Sequence, residues 1–293
     1  MARLSGRRVV ITGASRGLGR AFAEACADSG ARLVLNATSE ERLAPVVDGL
    51  RARGAEVEAV VGSVAEDEVC AELVARCVAR WGGIDAAIHN AGIVRDRTLL
   101  KMTPQEWDEV VAVHLRGAYS VSRHAAAAMR DGDGGQIVLI VSGSGLAGGF
   151  GQANYAAAKE GMMGLLRTSV LELTRFGVRC NAMWPVADTD MTQVVFERAG
   201  AAAQADGRDA PSPQALGFGA PEEVAAGLVW LLSDAAAELN GQCLSFNGRR
   251  VALWSHPQEH DIAFSDAPMT VEALDSWVSG ATMQQIARPK LVP

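Results

Sequence analysis

Tyr155 and Lys159 lie one helical turn apart in Asn154-Tyr155-Ala156-Ala157-Ala158-Lys159, and Ser142 lies thirteen residues upstream of Tyr155, after the apolar run Ile137-Val138-Leu139-Ile140-Val141. On a helix, positions i and i+4 share a face, so the Lys159 ammonium can reach the Tyr155 phenol. A cation beside a phenol favours its ionised form, lowers its pKa toward the working pH and eases proton transfer. A hydroxyl from a neighbouring strand end, Ser142, can hold a carbonyl oxygen as it becomes an alkoxide. Together the three have the parts for reducing a carbonyl. A Tyr and a Lys four apart are also common helix decoration, so the surrounding chain has to decide.

The elements that would position them alternate regularly. Short apolar strands are expected at Arg7 to Thr12, Arg32 to Asn36, Val57 to Val61, Ile84 to His89, Gln136 to Val141, Val178 to Met183 and Gln242 to Phe246. Between them, helical stretches are expected at about 18–29, 40–53, 66–81, 104–129 (one long helix), 152–176 and 221–232. Continuous apolar strands alternating with helices predict a parallel sheet covered on both faces, an α/β fold. Residues 194–220 are rich in small residues and read as loop, and 190–220 is expected to be a substrate lid. The main domain is expected over 1–248, with a C-terminal extension over 249–293.

The first strand runs into Thr12-Gly13-Ala14-Ser15-Arg16-Gly17-Leu18-Gly19. Glycines between a strand and a helix let the backbone approach a pyrophosphate, and the helix N-terminus favours its charge. An acid usually follows the second strand in an NAD site; here Ala37-Thr38-Ser39 follows. Arg16 in the glycine loop could meet a 2′-phosphate. NADP(H) is therefore favoured over NAD(H). Ser63 and Val64 end the third strand, where an adenine would rest. Asn90, with Ala91 and Gly92 after it, ends the fourth beside the nicotinamide ribose.

Composition excludes other classes. The 293 residues are 49% hydrophobic and 21% charged, with a net charge of −7, which disfavours nucleic acid as a partner. No window approaches the roughly 18 apolar residues of a membrane span, and the first residues lead straight into a strand without a secretory signal. Cys26, Cys70, Cys77, Cys180 and Cys243 form no Cys-x-x-Cys pair. Reduced, buried thiols and cytoplasmic residence are expected, with no metal site.

With the glycine loop, Asn90-Ala91-Gly92, Ser142, Tyr155 and Lys159 in hand, the chain resembles the short-chain dehydrogenase/reductase family over about residues 5–248. The resemblance implies a Rossmann-type doubly wound sheet of seven parallel strands. It also implies Tyr155 as acid/base, Ser142 as carbonyl anchor and Lys159 on the nicotinamide ribose. His114 stands where the family usually has an Asn that supports a helix bend and a relay water; an imidazole titrating near neutrality could replace it. Pro185-Val186 replaces the usual Pro-Gly, with Thr189 still available to the carboxamide. His89 replaces the first Asn of Asn-Asn-Ala-Gly. A narrower likeness runs through Gly92 to Arg97, Trp107-Asp108, Val113 to Gly117, Gly149 to Tyr155, Pro185 to Gln193 and Ala267 to Thr270 with Trp277. It points to the (3R)-hydroxyacyl-CoA dehydrogenase unit of the peroxisomal multifunctional β-oxidation enzyme. Ser15-Arg16 and Ala37 to Glu40 look more like 3-oxoacyl-carrier-protein reductases. The expected substrate is a β-ketoacyl or β-hydroxyacyl thioester or a polyketide-like ketone. Arg95, Arg97 and Lys101 are candidates for a carrier phosphate, and a homodimer or homotetramer is implied. The alternative is a catalytically quiet, cofactor-sensing or scaffold member of the same fold.

Overall fold

A computed structural model describes residues 2–258, 266 and 268–278. Met1–Trp254 form one compact unit and Ser255–Pro293 a second. In the first unit, eight strands lie in the order β3-β2-β1-β4-β5-β6-β7-β8. They are β1 (Arg8–Ile11), β2 (Arg32–Ala37), β3 (Val57–Val61), β4 (Ala86–His89), β5 (Gly135–Ile140), β6 (Val178–Pro185), β7 (Cys243–Phe246) and β8 (Val251–Trp254). The first seven pair in parallel. The eighth is antiparallel to β7, pairing Cys243 with Trp254. The implied seven-stranded parallel sheet is thus present, with one strand more. That strand comes from the segment expected to begin an extension at 249, because Asn247 to Arg250 turn the chain back, Asn247 N–H donating to Arg250 O at 3.2 Å.

Alternate residues of one strand feed opposite faces: Val9 and Ile11 pack in one core cluster and Val10 in the other. Helices α1 (Gly17–Asp28), α2 (Glu40–Ala52) and α9 (Pro221–Leu232) cover the first face. Helices α3 (Asp67–Trp81), α5 (Gly117–Arg130) and α7 (Ala153–Leu173) cover the second. Two short helices, α4 (Pro104–Val111) and α6 (Gly143–Ala147), and α8 (Gln193–Ala205) complete the unit. The sheet order reverses between β1 and β4, which opens the crevice where such sheets bind ligands. Thr12 closes the base of that crevice. Its buried hydroxyl accepts from the Asn90 and Ala91 N–H groups, both at 3.0 Å, joining the ends of β1 and β4.

Two expectations need correction. The helix expected over 104–129 is interrupted by a π-helical turn at Ala112–Arg116, between α4 and α5. The segment read as loop from 194 is helical through Ala205: its run of small residues includes five alanines, strong helix formers, and Phe196 packs edge-on against Phe218 at 5.0 Å. All five cysteines are buried free thiols. Among the described residues, no helix is long and apolar enough to cross a membrane. The second unit contains one described helix, α10 (Val271–Val278), preceded by Thr270, whose hydroxyl accepts from Ala273 N–H at 3.2 Å. Ala267 and the Trp277 side chain lie outside the described residues.

The Thr12 link predicts a measurable cost. Thr12→Val leaves two buried N–H groups without their acceptor, worth about 1–3 kcal/mol, so melting should fall by roughly 3–8 °C while Thr12→Ser restores it. An unchanged melting temperature in Thr12→Val would refute this role.

Candidate active site

The glycine loop has a closed floor and an open mouth. A Cβ on Gly19 would lie 2.0 Å from Gly13 O, and one on Gly13 2.7 Å from Ala91 Cα. Neither space tolerates a side chain. Gly17, with φ +52°, faces open space; the nearest atom to its would-be Cβ is Thr189 Cγ2 at 3.9 Å. Helix α1 starts there without a side-chain cap and without an acid in its first turn. Its first N–H groups are thus left for a ligand, and the helix dipole favours an anion. Glycines that let a backbone close in and an uncapped helix start fit a dinucleotide pyrophosphate. Ser15 and Leu18 flank that mouth in sequence.

Asn90 holds the start of the glycine loop. Its amide donates to Thr12 O at 3.0 Å and Gly13 O at 3.2 Å. At the end of β2, Ala37 is buried and Thr38 exposed. The Ser39 hydroxyl caps α2 by accepting from Arg42 N–H at 3.3 Å. Arg16 pairs with Asp190 at 3.1 Å, both groups exposed, an ion pair of small net worth. Val64 is turned into the core and packs beneath the π turn, where a Cβ on Gly117 would meet its Cγ2 at 3.0 Å. Ser63 keeps its hydroxyl on the strand end, accepting from Ala65 N–H at 3.3 Å.

Ser142, Tyr155 and Lys159 come together. Ser142 ends the stretch after β5 and accepts from Ser144 N–H at 3.2 Å, which leaves its own proton free to donate. The Ser142 hydroxyl lies near enough to the Tyr155 phenol to draw its pKa down. Lys159 Nζ lies 5.5 Å from the Tyr155 ring centroid and donates to Ile140 O at 2.5 Å. Among the described residues that carbonyl is the only acceptor the ammonium has, so two of its three donors are left for a ligand. The hydroxyl oxygens of a ribose are suitable acceptors for such donors.

The charge state differs from the expectation. Lys159 is 3% exposed, and burial pulls its pKa down from 10.5 to about 7. The phenol of Tyr155 is not lowered: burial pushes it up, the Ser142 hydroxyl draws it partly back, and the Asp96 charge pushes it up again. A lysine that itself gives up its charge easily cannot hold a phenolate until an acceptor restores it.

His114 is likewise corrected. Its ring is buried in the π turn, where burial and the Lys159 charge hold it well below 6.5, so it stays neutral instead of titrating near pH 7. Nε2 faces both the Ile93 N–H (3.1 Å) and the Ile93 carbonyl (2.8 Å), and the tautomer decides which bond forms. The ring stands edge-on to Tyr155 at 5.0 Å and 88°. It therefore positions the tyrosine. A Cβ on Gly92 would lie 2.3 Å from its Cε1, so the imidazole and the glycine fit as a pair. His89 is also buried, neutral at about pKa 3 through burial and Lys159, with Nδ1 3.5 Å from the Thr12 hydroxyl.

Val186, at the usual glycine, is accommodated without strain. Its N–H donates to Phe246 O at 2.8 Å, and its carbonyl accepts from Gly219 N–H at 3.1 Å. Pro185 closes β6 just before it. Thr189 opens a short turn, its N–H donating to the Thr192 hydroxyl at 2.8 Å. Trp184 packs against Trp254, ring centroids 4.7 Å apart and planes tilted by 49°, and fills the space a Cβ on Gly143 would need, so it supports the Ser142 loop. Asn154 is spent on Arg95 O (3.2 Å) and Glu106 O (3.0 Å). Arg95 and Arg97 each pair with an acid of α4, Glu109 and Glu106, both at 2.9 Å. A further polar chain escaped the sequence reading: Ser144 donates to Gln152 and Gln152 to Asp96. Only their nearness to Ser142 and Tyr155 could have signalled it.

The fit of these parts is matched by relatives. The family model described as short chain dehydrogenase matches residues 7–200. Hydroxyacyl-CoA dehydrogenase ChsB1 of Mycobacterium tuberculosis is 41% identical over 87% of this chain and 81% of its own. The 3-oxoacyl-[acyl-carrier-protein] reductase FabG of Escherichia coli is 36% identical over 83% of this chain and 96% of its own. The mouse peroxisomal multifunctional enzyme type 2 is 32% identical over 99% of this chain, which spans 38% of that enzyme.

Buried Lys159 makes a prediction for the cofactor-free protein. The unfolded chain holds this proton up to about pH 10.5 and the folded chain only to about 7, so stability rises with pH across that window. Lys159→Met removes a cost on the order of 4 kcal/mol near pH 7 and should melt several degrees higher, the gap narrowing toward pH 10. A variant that melts lower, or a gap independent of pH, would contradict the assignment. By its matching residues, its sheet and its site, the chain belongs to the short-chain dehydrogenase family of oxidoreductases.

Proposed function

We propose that this oxidoreductase interconverts a ketone and a secondary alcohol with NADP(H), and that its substrate is a β-ketoacyl or β-hydroxyacyl thioester. The carrying observation is the convergence of Tyr155, Ser142 and the buried Lys159 ammonium, in a chain whose glycine loop leads into an uncapped helix. The thioester class is supported by the names of the hydroxyacyl-CoA and 3-oxoacyl relatives. A polyketide-like ketone would use the same chemistry.

In the reducing direction, Ser142 donates its hydrogen bond to the substrate carbonyl oxygen. Tyr155 gives its proton to that oxygen as negative charge develops there. Lys159 stabilises the phenolate left behind, and its free N–H groups would hold the nicotinamide ribose. When bound, the reduced nicotinamide supplies the hydride to the carbonyl carbon. The glycine loop from Gly13 to Gly19 would hold the pyrophosphate, and Thr189 the carboxamide. His114 keeps the Tyr155 ring edge-on without exchanging a proton.

NADP(H) is favoured because Ala37 supplies no carboxylate for a ribose 2′-hydroxyl, and Arg16 is held by only an exposed ion pair that a 2′-phosphate can displace. His114 and Val186, the departures that would favour a catalytically quiet member of the fold, are both accommodated beside an intact trio. Lys101 remains the candidate for a carrier phosphate, since Arg95 and Arg97 are paired. A homodimer or homotetramer through α4, α5 and α7 is supported by the exposed Trp107, Tyr119 and Leu171 on those helices. Cytoplasmic residence agrees with five free thiols.

Tyr155→Phe should lower kcat/KM for NADPH-dependent ketone reduction by about 10²–10⁴-fold; turnover within tenfold of the parent would defeat the mechanism. Ala37→Asp should move the NADPH-to-NADH ratio of kcat/KM toward NADH by at least about tenfold. An unchanged ratio would count against the NADP(H) assignment.

A further inference from the structure

We propose that Asp96, tethered through Gln152 to Ser144, is the specificity-determining residue that admits esterified 3-oxo substrates and turns away free 3-oxo acids. The proposal rests on the ketone-reductase reading above and goes on to name the substrate charge that the site accepts.

Three contacts fix Asp96 at the rim. The Arg97 N–H donates to Gly151 O at 2.8 Å, and the Asn154 amide donates to Arg95 O at 3.2 Å. Residues 95–97 are thereby strapped along 151–154, with Asp96 between the two straps. The Gln152 amide then donates to both carboxylate oxygens, at 3.3 and 3.1 Å. Its orientation is set from the other side, where Ser144 Oγ–H donates to Gln152 Oε1 at 2.7 Å. Gly149 seals this arrangement, because a Cβ there would lie 2.6 Å from Gln152 Oε1 and 3.1 Å from Ser144 Oγ. The chain runs one way, hydroxyl to amide to carboxylate, and ends on acceptor lone pairs at the rim.

Among the described residues no cation pairs with the Asp96 carboxylate, and its neighbours Arg95 and Arg97 are taken by Glu109 and Glu106. Gln152 is three residues before Tyr155, and the Asp96 charge is felt at the phenol. A free 3-oxo acid carries its carboxylate one methylene from the carbonyl carbon that must sit against Tyr155. That puts two like charges in one crevice, a penalty of about tenfold or more in binding. Esterification as an ester or thioester removes the charge, and Asp96 can then accept a hydrogen bond from an N–H or O–H of the acyl carrier arm.

The test compares NADPH-dependent kcat/KM for ethyl acetoacetate and for acetoacetate. The wild-type protein should prefer the ester by at least about thirtyfold, and Asp96→Asn should shrink that ratio by at least about tenfold. Gln152→Met, which frees the carboxylate from its tether, should shrink it as well. A ratio unchanged in Asp96→Asn overturns the proposal. Turnover of neither ketone by the wild type overturns the reductase reading instead, and a second measurement then decides on Asp96. The chain has two tyrosines, Tyr119 and Tyr155, so in a Tyr119→Phe background the tyrosinate absorbance reports Tyr155 alone. The groups facing that phenol are Ser142, Asp96, Lys159 and neutral His114, and Asp96→Asn should move its titration to lower pH. A titration that does not move overturns the proposal independently of turnover.

Discussion

The hydrogen bond from Lys159 to the Ile140 carbonyl is the contact on which the rest of the site depends. It ties α7 to the last residue of β5, two residues before Ser142, and so sets the rotation of the helix about its axis. Tyr155, one turn earlier, is then delivered to the Ser142 hydroxyl. Burial makes the same contact costly, because an ammonium removed from solvent is held at a pKa of about 7. The site is thus strained in charge while relaxed in geometry. A ligand that offers oxygen acceptors to the two free N–H groups relieves that strain, which couples cofactor binding to the charge that the phenolate needs.

The departures from the family pattern are absorbed by their neighbours. An imidazole at 114 is larger than the usual amide, and Gly92 makes room for its edge. The π turn adds a residue to the helix at that point and directs the ring inward, where it meets the Ile93 backbone. Both His89 and His114 are kept neutral by burial and by the Lys159 charge. The pocket therefore holds one group able to carry positive charge, with no second cation to compete for the phenolate. At 186, the backbone is bonded on both sides to Phe246 and Gly219, so nothing there requires a glycine conformation.

Much of this was legible in the residues. Unbroken apolar strands could only belong to a sheet covered on both faces, and β1 through β7 appear where those runs lie. Pro221 at a helix start and Leu232 at its end were readable from the pattern. The trio and the glycine loop were readable from spacing. Three kinds of feature were not. The π turn has no periodicity of its own, because it is set by how the His114 ring is accommodated. Strand β8 alternates exposed Val251 and Leu253 with partly buried Ala252 and Trp254, a weak signal until β7 provides an edge. Charge states depend on burial, so Lys159 and His114 carried ordinary pKa values until the fold removed water from them. Side-chain networks across loops, such as Asp96 with Gln152, are invisible until both loops are placed.

The most direct test of the account is the absorbance of reduced nicotinamide when purified protein is mixed with NADPH and acetoacetyl-CoA. The account predicts a steady loss of that absorbance, faster with NADPH than with NADH and slowing as pH rises, since reduction draws a proton through Tyr155. NADPH left unoxidised by acetoacetyl-CoA, in protein shown to bind the cofactor, would contradict it.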